Sequence, residues 1–209
     1  MRKHFLDLFS GLGGASEAFA QDSNNWSVCR IDNNPLLSEV PMTTIMDIND
    51  ITPYSRSKSK RFFPRPPRID CVWASPPCRD FSDGYSSPKS KWVREHGIDS
   101  YEPDMSLLET ALHIIQTVEP RYWVIENVKG SIRYFKEYLG EPRQIIGPYV
   151  LWGNFPLLDV KPEMIIPKSG KDVHSSNPLR SNIRAKVDYA ISESLKRGIE
   201  YQHSILDYS

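Results

Sequence analysis

The chain has 209 residues, and its 26 basic and 26 acidic side chains leave it with no formal net charge. This length suits one well-buried domain, with little left over for a second. Hydrophobic residues make up 39% and charged residues 25% of the chain, which excludes wholesale disorder. No apolar run is long enough to span a bilayer, Asp7 comes too early for a signal peptide, and the three cysteines have no metal-type spacing. We therefore expect a cytoplasmic protein with no metal site and no membrane contact.

Alternating strand and helix patterns run along the first two thirds of the chain. Apolar runs rich in branched and aromatic residues predict buried parallel strands at residues 4–9, 26–31, 69–73 and 122–125. Helical patterns cover residues 15–21 and 104–118. In the second helix the apolar face consists of Leu107, Ala111, Ile114, Ile115 and Val118. The alternation predicts an α/β domain with a mostly parallel sheet and helices on both faces, and such sheets bind ligands at the carboxyl ends of their strands.

Two segments depart from this alternation. Residues 76–103 are rich in proline, serine, glycine and charge, and a loop of that length is typical of a lid or a binding element. Residues 153–181 are also irregular. After them, an apolar stripe predicts one final helix, formed by Ile183, Val187, Ala190, Ile191 and Leu195. We therefore expect a main domain at residues 1–152, an irregular segment at 153–181, and a helix at 182–209 that packs back on the main domain.

A glycine-rich turn follows the first predicted strand directly. Glycines at positions 11, 13 and 14 let the backbone turn sharply and approach a ligand closely, and the helix that follows offers free amide groups. Asp32 comes just after the second strand, where a carboxylate can accept from ribose hydroxyls. Asp47 can accept from an adenine amino group. The alternative for each aspartate is a role as a cap or turn residue.

The clearest chemical signal is a cysteine on a stiff turn, in the run Ser75-Pro76-Pro77-Cys78 after the third strand. Prolines hold this turn rigid, which exposes and orients Cys78 as a nucleophile requires. Its thiol then needs a nearby positive charge or proton acceptor to ionise, and Arg79 is one candidate. Cys29 and Cys71 lie inside strands, where we expect them to act as buried hydrophobic residues.

Glu126 follows the fourth predicted strand and should reach the same sheet edge as Cys78. Beside a nucleophilic cysteine, a carboxyl group can hold and polarise a substrate. The alternative is that Glu126 caps a helix that begins near Ser131.

Together these residues resemble the DNA cytosine-5 methyltransferase family. The run from Asp7 to Gly14 looks like the family's cofactor loop, Pro77-Cys78 like its catalytic motif, and Glu126-Asn127-Val128 like its base-binding motif, all in the family's order. The resemblance implies a Rossmann-like, S-adenosylmethionine-dependent methyltransferase fold, with the cofactor-binding and catalytic domain at residues 1–152. It also implies that Cys78 attacks carbon 6 of a flipped-out cytosine while Glu126 binds the base, so that carbon 5 takes the methyl group.

The same resemblance assigns the remaining contacts. For S-adenosyl-L-methionine it implies Asp7, Phe9, Gly11, Leu12, Gly13, Asp32, Asp47, Ile48, Pro77 and Leu107. For double-stranded DNA it implies the loop after Cys78, with Arg79, Ser82, Lys89, Lys91 and Arg94, and Arg143 as a base or phosphate contact. The basic stretch at residues 56–68 is either a solvated loop or a further phosphate contact.

The departures from the family concern target recognition. Only about 30 irregular residues stand where members usually insert a recognition domain, fewer than a folding unit needs, and Ser181-Asn182-Ile183-Arg184 replaces the final motif. Four hypotheses follow. The chain is a stand-alone prokaryotic or viral enzyme that protects DNA from restriction, the catalytic subunit of a split enzyme with a separate recognition partner, an RNA methyltransferase, or a non-catalytic binding module.

Overall fold

A computed structural model describes residues 2–51, 68–85, 87–167, 170–171 and 173–206. Within these ranges, seven strands form one sheet in the order β3-β2-β1-β4-β5-β7-β6. The strands are Lys3–Leu8 (β1), Trp26–Asp32 (β2), Thr43–Ile45 (β3), Cys71–Ala74 (β4), Tyr122–Val128 (β5), Gln144–Ile146 (β6) and Tyr149–Asn154 (β7). Strands β1 to β5 are parallel, whereas β7 runs antiparallel to both β5 and β6.

Six α-helices accompany the strands in the described ranges. They are Glu17–Gln21 (α1), Pro88–His96 (α2), Ser106–Val118 (α3), Ile132–Leu139 (α4), Arg180–Ala185 (α5) and Tyr189–Leu206 (α6). Helix α2 has clear local signals, because the Ser87 hydroxyl accepts from the Ser90 amide and Pro88 occupies the first turn. None of the described helices combines the length and the apolar character needed to cross a membrane.

The sheet is buried on both faces, which confirms the predicted three-layer α/β architecture. One face packs against α1 and α6, where Phe19, Ile191 and Leu195 are fully buried with Phe5 of β1. The other face packs against α3 and α4 through a cluster that includes Leu108, Ala111, Ile114, Phe135 and Trp152. Burial on both faces explains why the parallel strands read as nearly continuous apolar runs.

Several predicted elements need correction. The residues at 76–103 are not one irregular loop, since they contain α2. The final helix is two helices, because the backbone leaves helical geometry at Lys186 and resumes it at Tyr189. On α3, Leu108 rather than Leu107 is buried in the core. Strand β5 continues through Glu126 to Val128, since β7 pairs with its outer part.

The division at residues 152 and 181 stays a prediction, and the tail at 207–209 lies outside the described residues. So does most of the basic stretch at 56–68, of which only Arg68 is described, in an exposed position.

Candidate active site

A cavity of about 760 Å³ opens at the carboxyl ends of the parallel strands. Its lining falls into two parts. The first wall comes from the carboxyl ends of strands and the loops after them, with lining residues drawn from within 7–15, 32–34, 75–78 and 126–128. The second wall comes from described residues between 166 and 187, including α5. Tyr149, at the start of β7, lies in the lining between them.

The glycine turn in the first wall is fixed by Asp32. The Gly11 amide donates to Asp32 Oδ2 at 2.8 Å, and the Asn34 amide donates to Asp32 Oδ1 at 2.9 Å. Gly11 has a φ of 51°, and Phe9 has a φ of 57°, which is rare for a bulky residue and is a mark of functional sites. Phe9, Gly11, Leu12 and Asp32 all line the cavity, where the sequence placed them.

Below this turn lies a buried polar network that the sequence did not indicate. The Ser16 hydroxyl donates to Asp7 Oδ2 at 2.5 Å and accepts from Arg30 Nε at 2.8 Å. Arg30 Nη2 also donates to the Gly13 carbonyl at 3.1 Å. Burial raises the pKa of Asp7 to about 7, although the Ser16 hydrogen bond and the Arg30 charge act in the opposite direction.

Gly13 belongs to this network and not to the cavity lining. A Cβ at Gly13 would lie 2.3 Å from Arg30 Cζ, so the absent side chain leaves room for the guanidinium. Arg30 is a buried arginine inside an apolar strand. An arginine at such a position could have indicated this polar network from the sequence, but it was not considered. Asp7 does line the cavity, but its carboxylate is held by Ser16.

Cys78 sits on a turn that three other residues anchor. The backbone amides of Phe81 and Ser82 donate to the Cys78 carbonyl at 3.1 and 3.0 Å. Asn127 is 1% exposed, and its Nδ2 donates to the Pro76 carbonyl at 2.9 Å. Asn127 therefore ties the cysteine turn to β5, next to Glu126. Sequence reasoning quoted Asn127 within a motif but gave it no role.

Cys71 is buried as the sequence predicted, whereas Cys29, which was also predicted to be buried, is half-buried. Burial, followed by the charge of Asp7, raises the pKa of Cys29 to about 11, and burial raises the pKa of Cys71 well above its ordinary value. Both thiols stay protonated near neutral pH. Cys78 lines the cavity together with Glu126, so the structure brings the two predicted catalytic side chains to one site.

A narrow cleft of about 40 Å³ continues from the first wall. Six of the residues predicted for the cofactor line it, namely Phe9, Asp32, Asp47, Ile48, Pro77 and Leu107. Asp47 also has the alternative role considered for it, since its Oδ1 accepts from the Asn49 amide at 2.9 Å and caps a short 3₁₀ helix. In the described part of the chain, no cluster of three or more His, Cys, Asp or Glu side chains could hold a metal ion.

The residues predicted to contact DNA differ in their exposure to solvent. Arg79 is exposed beside Asp80, Lys91 is exposed on α2, and Ser82 is half-buried. Arg94 is exposed and donates from Nη1 to the Tyr85 carbonyl at 2.9 Å.

The prediction for Lys89 is corrected. Its Nζ lies 2.6 Å from Asp83 Oδ1 and 5.6 Å from the centre of the Tyr134 ring, and the side chain is 9% exposed. Lys89 therefore holds the loop after Cys78 against α4 and is not available to a phosphate.

The prediction for Arg143 is corrected as well. Arg143 precedes β6, and its Nε donates to the Phe155 carbonyl at 2.8 Å. Phe155 follows Asn154, which pairs with Trp123 at the amino end of β5. The guanidinium thus lies toward the sheet edge opposite Cys78, because β6 and β5 run in the same direction.

The second wall closes over the glycine turn. Asn34 Nδ2 donates to Asn182 Oδ1 at 3.3 Å, and a Cβ on Gly11 would lie 3.9 Å from Asn182 Nδ2. Ser181, Asn182 and Arg184 belong to the segment predicted to stand in place of the family's final motif, and all three line the cavity. Lys171, which sequence reasoning did not single out, also lines it.

Residues 3–139 match the model of the C-5 cytosine-specific DNA methylases. The chain belongs to this family. The match runs from β1 to α4, so it contains the first wall of the cavity with Cys78 and Glu126, whereas the second wall lies beyond it.

Two curated relatives extend the comparison. The chain is 32% identical over 158 residues to a probable DNA (cytosine-5)-methyltransferase of Frog virus 3 (isolate Goorha), covering 71% of this chain and 64% of that protein. It is 29% identical over 143 residues to the type II methyltransferase M.AquIA of Picosynechococcus sp., covering 65% and 52% of the two chains. This methylase-family chain thus spans only about half to two thirds of the length of these relatives.

A solved structure of a putative DNA modification methyltransferase from an Escherichia coli prophage is similar at 19% identity and a TM-score of 0.45. The alignment covers 79% of this chain and 51% of that one.

Proposed function

We propose that the chain methylates carbon 5 of cytosine in double-stranded DNA, with S-adenosyl-L-methionine as methyl donor and Cys78 as covalent nucleophile. One observation carries this proposal: Cys78 and Glu126 line the same cavity as the glycine turn. Membership of the methylase family supports it from a separate direction. A non-catalytic binding module would not need these two side chains together.

The cavity fits the proposed cofactor in size and in chemistry. Its volume of about 760 Å³ lies in the usual range for ligand sites. The adjoining cleft is mostly apolar, with Phe9, Ile48 and Leu107 suited to an adenine ring, while the Asp32 carboxylate can accept from ribose hydroxyls. When bound, the cofactor supplies the methyl group.

The residues of the chain would perform the other steps. The Cys78 thiolate adds to carbon 6 of the cytosine, and the ring electrons move toward carbon 5 and the ring nitrogen. Glu126 holds that nitrogen and the amino group, which stabilises the developing charge. After carbon 5 has accepted the methyl group, it loses its proton, and expulsion of the thiolate restores Cys78. The cytosine must first leave the helix, which costs a few kcal/mol.

The exposed cations near Cys78 support a nucleic acid as the substrate. Arg79 and Lys91 are exposed after the cysteine turn, where they can contact phosphates on either side of a flipped base. Ser82 lies on the same turn and is suited to a hydroxyl contact.

A direct test uses the purified full chain with a methyl-labelled cofactor. We expect label in cytosines of duplex DNA and none from the Cys78→Ser variant, while Cys29→Ser, the matched control in β2, retains activity. Equal labelling by wild type and Cys78→Ser would overturn the covalent mechanism. An RNA duplex of the same sequence serves as the competing substrate, and preferential labelling of the RNA would overturn DNA as the substrate. Bisulfite sequencing of DNA from cells that express the chain adds the sequence context.

A second candidate is the catalytic subunit of a split enzyme, motivated by the short irregular segment at residues 153–181, where a recognition domain is expected. In that case the chain alone methylates DNA weakly or without site preference. Co-expression with the product of an adjacent reading frame would restore site-specific methylation. Full site-specific activity from the lone chain would exclude this candidate.

A further inference from the structure

A buried polar cluster joins three parts of the chain at the margin of the cavity, where Tyr149 and Lys171 belong to the lining. Lys171 Nζ lies 2.8 Å from Asp188 Oδ1, and the Tyr149 hydroxyl donates to Asp188 Oδ2 at 2.7 Å. Lys171 Nζ also donates to the Tyr149 hydroxyl at 3.0 Å. Asp188 is 5% and Tyr149 7% exposed, so a charge pair and a phenol are held together away from solvent. We call these three residues the clasp.

The clasp is hydrogen-bonded to the junction between α5 and α6. Lys171 Nζ donates to the Lys186 carbonyl at 2.8 Å, and Lys186 is the residue at which α5 ends. Buried charges that are bonded in this way fix orientation, because any shift leaves a charge or a hydroxyl without a partner. Burial and the hydrogen bond to Asp188 raise the pKa of Tyr149, so the hydroxyl keeps the proton that it donates.

The junction between α5 and α6 is in direct contact with the glycine turn. A Cβ at Gly14 would lie 2.3 Å from the Val187 carbonyl oxygen, and Lys186 Nζ forms an ion pair with Glu17 at 2.8 Å. From the same junction, α5 extends over the cavity, and Asn182 reaches Asn34. The position of the second wall over the glycine turn therefore depends on how firmly the junction is held.

We propose that Lys171, Tyr149 and Asp188 are positioning residues for the cofactor: the clasp holds α5 as the second wall of the cofactor site. This inference rests on the proposed function and deepens it. The clasp contributes no group to the methyl transfer itself. Loss of the clasp should therefore weaken cofactor binding much more than it slows turnover at saturating cofactor.

The experiment compares Tyr149→Phe, Lys171→Met and Lys171→Arg with the wild-type chain. Cofactor affinity is measured by calorimetry with S-adenosyl-L-methionine, and methylation kinetics give KM for the cofactor and kcat. We expect Tyr149→Phe and Lys171→Met to raise Kd and KM at least fivefold with kcat within twofold of wild type, while Lys171→Arg restores most of the affinity. Lys136→Met is the matched control, because Lys136 is exposed on α4 and outside the cavity lining.

Thermal unfolding monitors the fold of each variant. Lys171→Met leaves Asp188 buried without its cation, so the double variant Lys171→Met/Asp188→Asn serves as a second test if the single variant unfolds. Unchanged Kd in folded Tyr149→Phe and in the folded double variant would overturn the inference. A fall in kcat with unchanged KM would overturn it too. Absence of cofactor binding by the wild-type chain would instead count against the proposed function.

Discussion

The two walls of the cavity are held in place by different means. The first wall follows from the sheet, because each of its loops continues a strand whose register fixes where the loop begins. The second wall has no strand to continue, and its hold on the cavity comes from the charged clasp of Lys171, Asp188 and Tyr149. A wall of the first kind is encoded by local sequence. A wall of the second kind depends on contacts between residues far apart in the chain.

The largest expected effect concerns the buried carboxyl group under the first wall. The pKa of Asp7 is about 7 in the folded chain and 3.8 when unperturbed, so the unfolded chain releases this proton first as pH rises. Folding stability should therefore fall between about pH 4 and pH 7 and level off above. At about 1.4 kcal/mol per pKa unit, the Asp7 contribution is roughly 4 kcal/mol.

Urea unfolding across this pH range measures the effect. Asp7→Asn should flatten the slope, since an amide does not titrate, whereas Asp159→Asn, at an exposed position, should leave it as in the wild type. Equal slopes for wild type and Asp7→Asn would show that the carboxyl group is not buried as described.

The next effect tests the contact between the two walls. Gly14→Ala places a Cβ 2.3 Å from the Val187 carbonyl oxygen, so the second wall has to move away from the glycine turn. We expect a loss of about 1–3 kcal/mol in unfolding free energy and weaker cofactor binding by calorimetry. Gly84→Ala is the control, because the nearest atom to its new Cβ is Ser82 Oγ at 3.4 Å. If both variants bind the cofactor equally well, the walls do not meet at Gly14.

A smaller effect is expected from a substitution next to the cysteine turn of the first wall. Asn127→Ala leaves the Pro76 carbonyl without its buried donor, which costs about 1–2 kcal/mol of stability. The cysteine turn loses its tie to β5, so kcat should fall at least tenfold while cofactor affinity stays within twofold. Asn154→Ala removes a similar bond, from Nδ2 to the Arg121 carbonyl, at an exposed site away from Cys78. A kcat in Asn127→Ala as high as in this control would refute the role of Asn127.

The smallest effect distinguishes Lys91 from Lys89. Both lysines lie on α2, which is outside both walls of the cavity. Lys91→Ala should weaken DNA binding several-fold and reduce the salt slope by about one counterion, with stability unchanged. Lys89→Ala should instead lower stability by about 1 kcal/mol, because the buried stem and the pair with Asp83 are lost. Binding titrations at several salt concentrations, combined with thermal melts, check both. Reversed outcomes would restore Lys89 as the phosphate contact.

Sequence reasoning succeeded where local pattern and structure coincide. The four apolar runs became β1, β2, β4 and β5, and the turn at Cys78 follows directly from Pro76 and Pro77 after a strand. It failed for β7, whose antiparallel pairing with β5 carries Glu126 into the sheet. It also joined α5 and α6 into one helix, since Ile183 and Val187 keep the helical spacing across the break that begins at Lys186.

The site residues, too, could be predicted only where local sequence determines their position. Cys78 follows β4, while Asp32 and Glu126 lie near the carboxyl ends of β2 and β5, so the sequence placed all three at one sheet edge. Lys171 sits in an irregular stretch among other lysines, and nothing local marks it as the partner of Asp188. Lys89 and Arg143 were assigned from their positions in motifs that resemble those of the family. Their surroundings, Asp83 and the Phe155 carbonyl, depend on tertiary packing that a single sequence does not display.

The order of the chain has a consequence for biosynthesis. Residues 3–139, from β1 to α4, hold Cys78, Glu126 and the glycine turn, but β7 and the second wall follow them. Domains form from the amino terminus first during translation. A nascent chain thus contains Cys78 and Glu126 while the outer edge of β5 is still unpaired and the cavity has only its first wall. Enclosure of the cavity waits until residues 166–187 have left the ribosome, so a chain that stops before this segment would expose Cys78 and Glu126 to solvent on one side.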